Sequence, residues 1–106
     1  MKLIDIANNL PELADDQVIC VRRPWAEHAD CELVQLDETH GIPSTVVSRG
    51  FEYFLEVSVA HEVCEVFGQL PPSSEEIAAL LLFYAENDAF PKWVYERQTS
   101  GDASNA

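Results

Sequence analysis

Apolar side chains fall into blocks of different spacing along the chain. Leu3, Ile4, Ile6 and Ala7 predict a short amphipathic helix over residues 2–9, stopped by the Asn8-Asn9-Leu10-Pro11 sequence. Asp15 and Asp16 make a turn. Val18-Ile19-Cys20-Val21 then runs without a polar break, which predicts a strand within residues 17–23, closed by Arg22, Arg23 and Pro24. Cys31 to Leu36 alternates instead, with Cys31, Leu33 and Gln35 on one side and Glu32, Val34 and Leu36 on the other, which predicts a second strand. Residues 37–41 read as a loop, and Pro43 opens a short helical turn that Gly50 terminates.

The segment Phe51-Glu52-Tyr53-Phe54-Leu55-Glu56-Val57 fits two periods. With period two, Phe51, Tyr53, Leu55 and Val57 share a face; with period 3.6, Phe51, Phe54, Leu55 and Val59 do. The aromatics, the valine and the preceding Gly50 favour a third strand through Val57. Ser58 then caps a helix to Phe67, with Val59, Val63, Val66 and Phe67 inward and Gly68 as its stop. The last helix carries the clearest signals. Ser73-Ser74-Glu75-Glu76 is a capping box behind Pro71-Pro72, and Ile77, Leu80, Leu81 and Tyr84 follow at i, i+3, i+4 and i+7. Leu82 and Phe83 widen the apolar surface, predicting burial on more than one side, and the helix ends near residues 86–88. Together these elements predict an α+β fold, a small antiparallel sheet of about three strands packed against two to three helices. They form one domain over residues 1–97, and the small, polar segment 98–106 is expected to be a disordered tail.

Charge changes this picture more than bulk composition does. The 106 residues include 6 Lys and Arg against 19 Asp and Glu, a net charge of −13. Such an excess of acid excludes a grip on nucleic acid, which depends on cations meeting phosphates, and disfavours an anionic membrane surface. From Trp25 to Phe90 thirteen acids face the single Arg49, leaving twelve net negative charges. Their repulsion weakens the fold unless a cationic partner relieves it; a solvated surface that only keeps the protein in solution is the plainer reading. Ile77 to Ala85, the longest uncharged apolar run, has nine residues where a membrane-spanning helix takes about twenty. The first residues lack the basic and apolar sections of a signal peptide. Cys20, Cys31 and Cys64 are an odd number with no Cys-x-x-Cys pair, as expected of reduced thiols in the cytoplasm.

In the second half of the chain an aromatic strand segment leads into Val57-Ser58-Val59-Ala60-His61-Glu62-Val63, and Tyr84-Ala85-Glu86-Asn87-Asp88-Ala89-Phe90 follows later. This pattern resembles a family of small bacterial proteins of unknown function that are regarded as candidate immunity proteins. Ser58, Val63, Tyr84, Asn87, Asp88, Ala89 and Phe90 carry the likeness, whereas His61-Glu62 stands where the family has Gln-Asp and only one tyrosine remains of a tyrosine-rich run. The resemblance covers roughly half the chain and implies toxin neutralisation or another protein-binding role, with no active-site residues to transfer.

Candidate chemistry is sparse. His61-x-x-Cys64 is the one metal-like spacing, but a structural zinc takes four ligands, and His28, Cys31 and His40 fall on separate segments. A core Cys64 beside a surface His61 is the expectation, with no metal and no cofactor. There is no Gly-x-Ser-x-Gly elbow and no glycine-rich phosphate loop, so no catalytic residue is assigned and an enzyme is not expected. Glu86 and Asp88 sit where a helix dipole disfavours acids. Either the helix stops by Ala85 and they are turn residues, or they form an acidic knob beside Phe90 and Trp93. Those two aromatics, and Trp25 likewise, either close the core or anchor a partner. The expected partner-binding set is Glu52, Glu56, Glu62, Glu65, Glu86, Asp88, Phe90 and Trp93, converging on one edge. The favoured function is an acidic protein-binding domain, an immunity-type inhibitor covering the cleft of a basic, nuclease-like bacterial toxin. An adaptor or regulatory subunit, or a small enzyme of unrecognised chemistry, are the alternatives.

Overall fold

The computed structural model describes residues 1–36, 38–39 and 41–96. β1 (Gln17–Arg22) lies between β2 (Cys31–Gln35) and β3 (Phe51–Glu56) and is antiparallel to both. This central place explains its unbroken apolar run. Ile19 and Val21 enter one core, Val18 and Cys20 a second core on the opposite face, and all four are at most 1% exposed. β2 alternates as its sequence does, with Cys31 and Leu33 in the first core and Val34 in the second.

Among the described residues four named α-helices cover the sheet: α1 (Leu3–Asn9), α2 (Ser44–Val47), α3 (Val57–Cys64) and α4 (Ser74–Asn87). Short 3-10 turns follow α1 at Leu10–Glu12 and α3 at Glu65–Phe67, and residues 92–96 make a last helical turn. α1, α3 and α4 contribute Leu3, Ile6, Ala60, Val63, Leu80 and Leu81 to the first core. The second is capped by Val46 of α2 with Phe51 and the half-buried Ile42 and Leu36. β2 and β3 occupy opposite edges, so the chain between them must cross a face, and α2 rides on that crossing. Gly50 leaves the crossing at φ +88, a conformation that favours glycine.

The ambiguous segment is a strand with an extra residue. Cys20 faces Tyr53 and Ile19 faces Leu55, so Phe54 has no partner and forms a bulge. Both Phe54 and Leu55 therefore enter the first core, while Phe51 belongs to the second. Neither simple period holds across such an insertion, and Leu55 does not share a face with Phe51. The strand ends at Glu56 rather than Val57, and Glu56, not Ser58, occupies the N-cap of α3, with no side-chain cap bond. Gly68 does stop the following turn, at φ +60.

α4 begins as its sequence requires. The Ser73 hydroxyl accepts from the Glu76 N–H at 3.1 Å, and Glu76 accepts from the Ser73 N–H at 2.9 Å. Ala78, Leu80 and Leu81 are fully buried, but burial does not extend around the helix, because Phe83 remains 39% exposed. The helix runs through Asn87 and ends within residues 86–88 as expected, so Glu86 is a helical residue and the alternative stop at Ala85 does not hold. Asp88 closes it in the left-handed region at φ 52, its N–H donating to the Tyr84 carbonyl, and the Asn87 amide donates to the Phe83 carbonyl. The tail expected over 98–106 and the loop residues Asp37 and His40 lie outside the described residues. Leu81→Ala should destabilise the protein by ~2–5 kcal/mol, read as a lower urea midpoint with an unchanged slope.

Candidate functional site

Cations are few, and the fold places four of them together where β1 ends and β3 begins. Lys2 and Arg22 both pair with Asp30, and Arg49 grips Glu32 with two nitrogens at 2.7 and 2.9 Å. Lys2 holds the Asp30 carboxyl below its ordinary range, and Arg49 does the same for Glu32. Arg22 also donates to the Arg49 carbonyl at 2.8 Å and lies over the Phe51 ring. Arg23 joins three elements. Its guanidinium reaches Glu52 of β3 at 3.3 Å and Glu86 of α4 at 2.9 Å, and stacks 3.6 Å from the Trp25 ring centre. Trp25 in turn meets Phe54 edge-on and donates to the Val21 carbonyl. The acid that Glu86 adds to the last turn of α4 is thus matched by Arg23, against the unfavourable dipole.

The other end of α4, about 20 Å away along its axis, has a different character. A groove of about 510 Å³ opens between the end of α1, the turn after α3 and the start of α4. Leu10, Pro11, Cys64, Phe67 and Ile77 give it apolar walls, and Asn8, Glu65 and Ser74 stand among them. Among the described residues no Lys or Arg lines it. Among the described residues, Glu12, Glu62, Glu65 and Glu75, which line the groove or lie within three positions of a lining residue, have no ion-pair partner.

His61, in one wall, is fully engaged. Its Nε2 lies 2.7 Å from the Leu10 carbonyl and its Nδ1 2.5 Å from Asp15, and since both partners only accept, both nitrogens donate. This arrangement favours the imidazolium over the neutral ring. Its pKa is raised, first by the Leu10 carbonyl and further by Asp15, against the opposing effect of burial. A ring so committed has no lone pair to ligate a metal or to take a proton from Cys64. The three cysteines are free, and burial pushes Cys20 and Cys64 up to about 11 and Cys31 to about 12. Cys64 is half-buried rather than a core residue, and His61 is partly buried rather than on the surface. Among the described residues no three His, Cys, Asp or Glu side chains gather as a metal site.

The expected partner-binding residues separate into groups. Glu52 and Glu86 meet through Arg23, whereas Glu62 and Glu65 belong to the groove end. Glu56 lies beside Tyr53, whose hydroxyl it helps to hold protonated, after burial, and Asp88 is the cap of α4. Phe90 packs on Tyr84 and Trp93 on Phe67, both half-buried against the first core. Comparison of the chain with protein-family models, with curated proteins and with solved structures finds no match. No helix among the described residues is long and apolar enough to cross a membrane.

Two measurements check this reading. His61 has a folded pKa above its unfolded value near 6.5, so its contribution to stability is complete below that pH and is lost as pH rises through the folded pKa. The stability difference between wild type and His61→Gln should therefore shrink on going from pH 6 to pH 9, as followed by urea unfolding; a constant difference would show that the ring is not charged. Arg23→Ala should lower stability by about 1 kcal/mol by leaving Glu52 beside Glu86, and Arg23→Lys should recover less than half, because an ammonium lacks the planar fork.

Proposed function

We propose that this chain is an acidic protein-binding domain of the immunity type, which neutralises a basic, nuclease-like bacterial toxin in the cytoplasm by covering its active cleft. One observation carries the reading: four of the six Lys and Arg residues are consumed in ion pairs at one end of the sheet, and among the described residues Glu12, Glu62, Glu65 and Glu75, around an apolar groove at the other, have no ion-pair partner. A binding role fits the commitment of both His61 nitrogens to Leu10 and Asp15 and the raised Cys64 thiol. In such an inhibitor carboxylates stand in for the phosphates that a nuclease cleft expects. Complementary potentials speed encounter and penalise wrong partners. The resemblance of the second half of the chain to candidate immunity proteins points the same way.

The test is genetic and kinetic. The C-terminal domain encoded by the gene immediately upstream is expressed in a bacterial host with and without this chain. Co-expression should restore growth, and the association rate of the two purified proteins should fall roughly fivefold or more between 50 mM and 500 mM salt. A host that grows no better with the chain, or an association rate indifferent to salt, would refute the inhibitor reading.

A further inference from the structure

The acids that were expected to act together lie at two ends of α4, and only one end offers somewhere for a partner's side chain to go. At the Arg23 end the carboxylates of Glu52 and Glu86 are already shared by one guanidinium, and the aromatic beside them, Trp25, is turned into the core. At the other end the groove of about 510 Å³ is walled by Leu10, Pro11, Cys64, Phe67 and Ile77, and among the described residues the carboxylates of Glu62, Glu65 and Glu75 that flank it have no ion-pair partner. That volume accommodates one or two large aliphatic or aromatic side chains.

We infer that this groove is the docking site for an amphipathic helix of the partner, one that lays apolar side chains between the end of α1, the turn after α3 and the start of α4 and brings lysine or arginine against Glu62, Glu65 and Glu75. The inference rests on the partner being basic, as proposed above, and adds where and how it is held. Charge complementarity selects this occupant over the others. The chain's own segment after Glu96 is polar, with no large apolar side chain to fill the groove, and its one cation, Arg97, is offset by Asp102, so it brings no net charge to the rim. A second copy would bring the same unpaired acids to the same place, which like-charge repulsion opposes. An apolar stripe bordered by cations satisfies both features of the groove, and such helix-in-groove docking needs no new sheet edge or rearranged strand.

The probe is a fluorescein-labelled amphipathic peptide of leucine and lysine, titrated with the full chain by fluorescence anisotropy. A peptide of the same composition in scrambled order and one with lysine replaced by glutamate serve as controls. The amphipathic peptide should bind one to one, and both controls about tenfold or more weakly. Two variants separate the two features of the groove. Glu62→Lys combined with Glu65→Lys reverses the rim, and Asn8→Trp blocks the mouth without changing charge; each should weaken binding about tenfold, with helical circular dichroism unchanged. Asp88→Lys, at the far end of α4, should change it no more than about twofold.

Equal losses from Asp88→Lys and from the rim variant would reduce the effect to net charge and overturn the inference. So would tighter binding after truncation at Glu96, which would make the chain's own tail the occupant, or a dimer in sedimentation that Asn8→Trp dissolves. Protection from the toxin that survives both groove variants would overturn the groove while leaving the inhibitor reading intact. Groove-specific peptide binding by a chain that gives no protection would support the groove and remove the inhibitor reading.

Discussion

Burial of β1 on both faces is the constraint from which the rest of the architecture follows. Each of its four central side chains contributes on the order of 1.5–3 kcal/mol only if it is taken out of water, and neighbours on one side satisfy only two of them. A sheet of three strands therefore has to be covered twice. The first and last thirds of the chain supply α1 and α4 for one face, and the connection between the two edge strands supplies α2 for the other. The crossing from β2 to β3 is short, so α2 is a single turn, and the second core is correspondingly small. The first core has room to spare at its margin, and the groove lies there, where α1, the turn after α3 and α4 diverge.

The few cations follow from the same geometry. β1 ends in Arg22 and Arg23, the crossing ends in Arg49, and Lys2 enters α1 beside Asp30, so the strand and helix termini that meet at this end bring basic residues with them. Pairing them there fastens the edges of the sheet to each other and to α4. At the groove end His61 binds inward to the Leu10 carbonyl and Asp15, and among the described residues Glu12, Glu62, Glu65 and Glu75 have no ion-pair partner. Charge segregation on this molecule is thus a result of where its chain reverses direction. It requires no dedicated acidic segment.

Local signals were legible in the sequence, and contacts between distant segments were not. The continuous run of Val18 to Val21, the alternation of Cys31 to Leu36 and the capping box at Ser73 each concern residues adjacent in sequence, and each element appears where it was read. Phe54 was ambiguous because a bulge depends on the register with Ile19 and Cys20, which the segment alone does not contain. Ser58 lies inside α3 and does not cap it, since the helix starts one residue earlier at the fully buried Val57 and Glu56 holds the N-cap without a side-chain bond. The acids were identifiable but their grouping was not: Arg23 reaches 29 residues to Glu52 and 63 to Glu86. The groove was not legible in the sequence, because its walls come from three separate stretches, within residues 7–11, 61–68 and 72–77, that only the fold brings together.

The bulge at Phe54 also bears on how the chain behaves among copies of itself. β3 is an outer strand, and an outer strand offers its free backbone groups as a template on which another chain can pair. An inserted residue twists and interrupts that template, and Glu52 and Glu56 place charge along it. The same extra residue that turns Phe54 inward for the core therefore spoils the strand for edge-to-edge association. In a chain with an exposed Tyr53 and Val47 near that edge, protection against sheet extension is built into the packing.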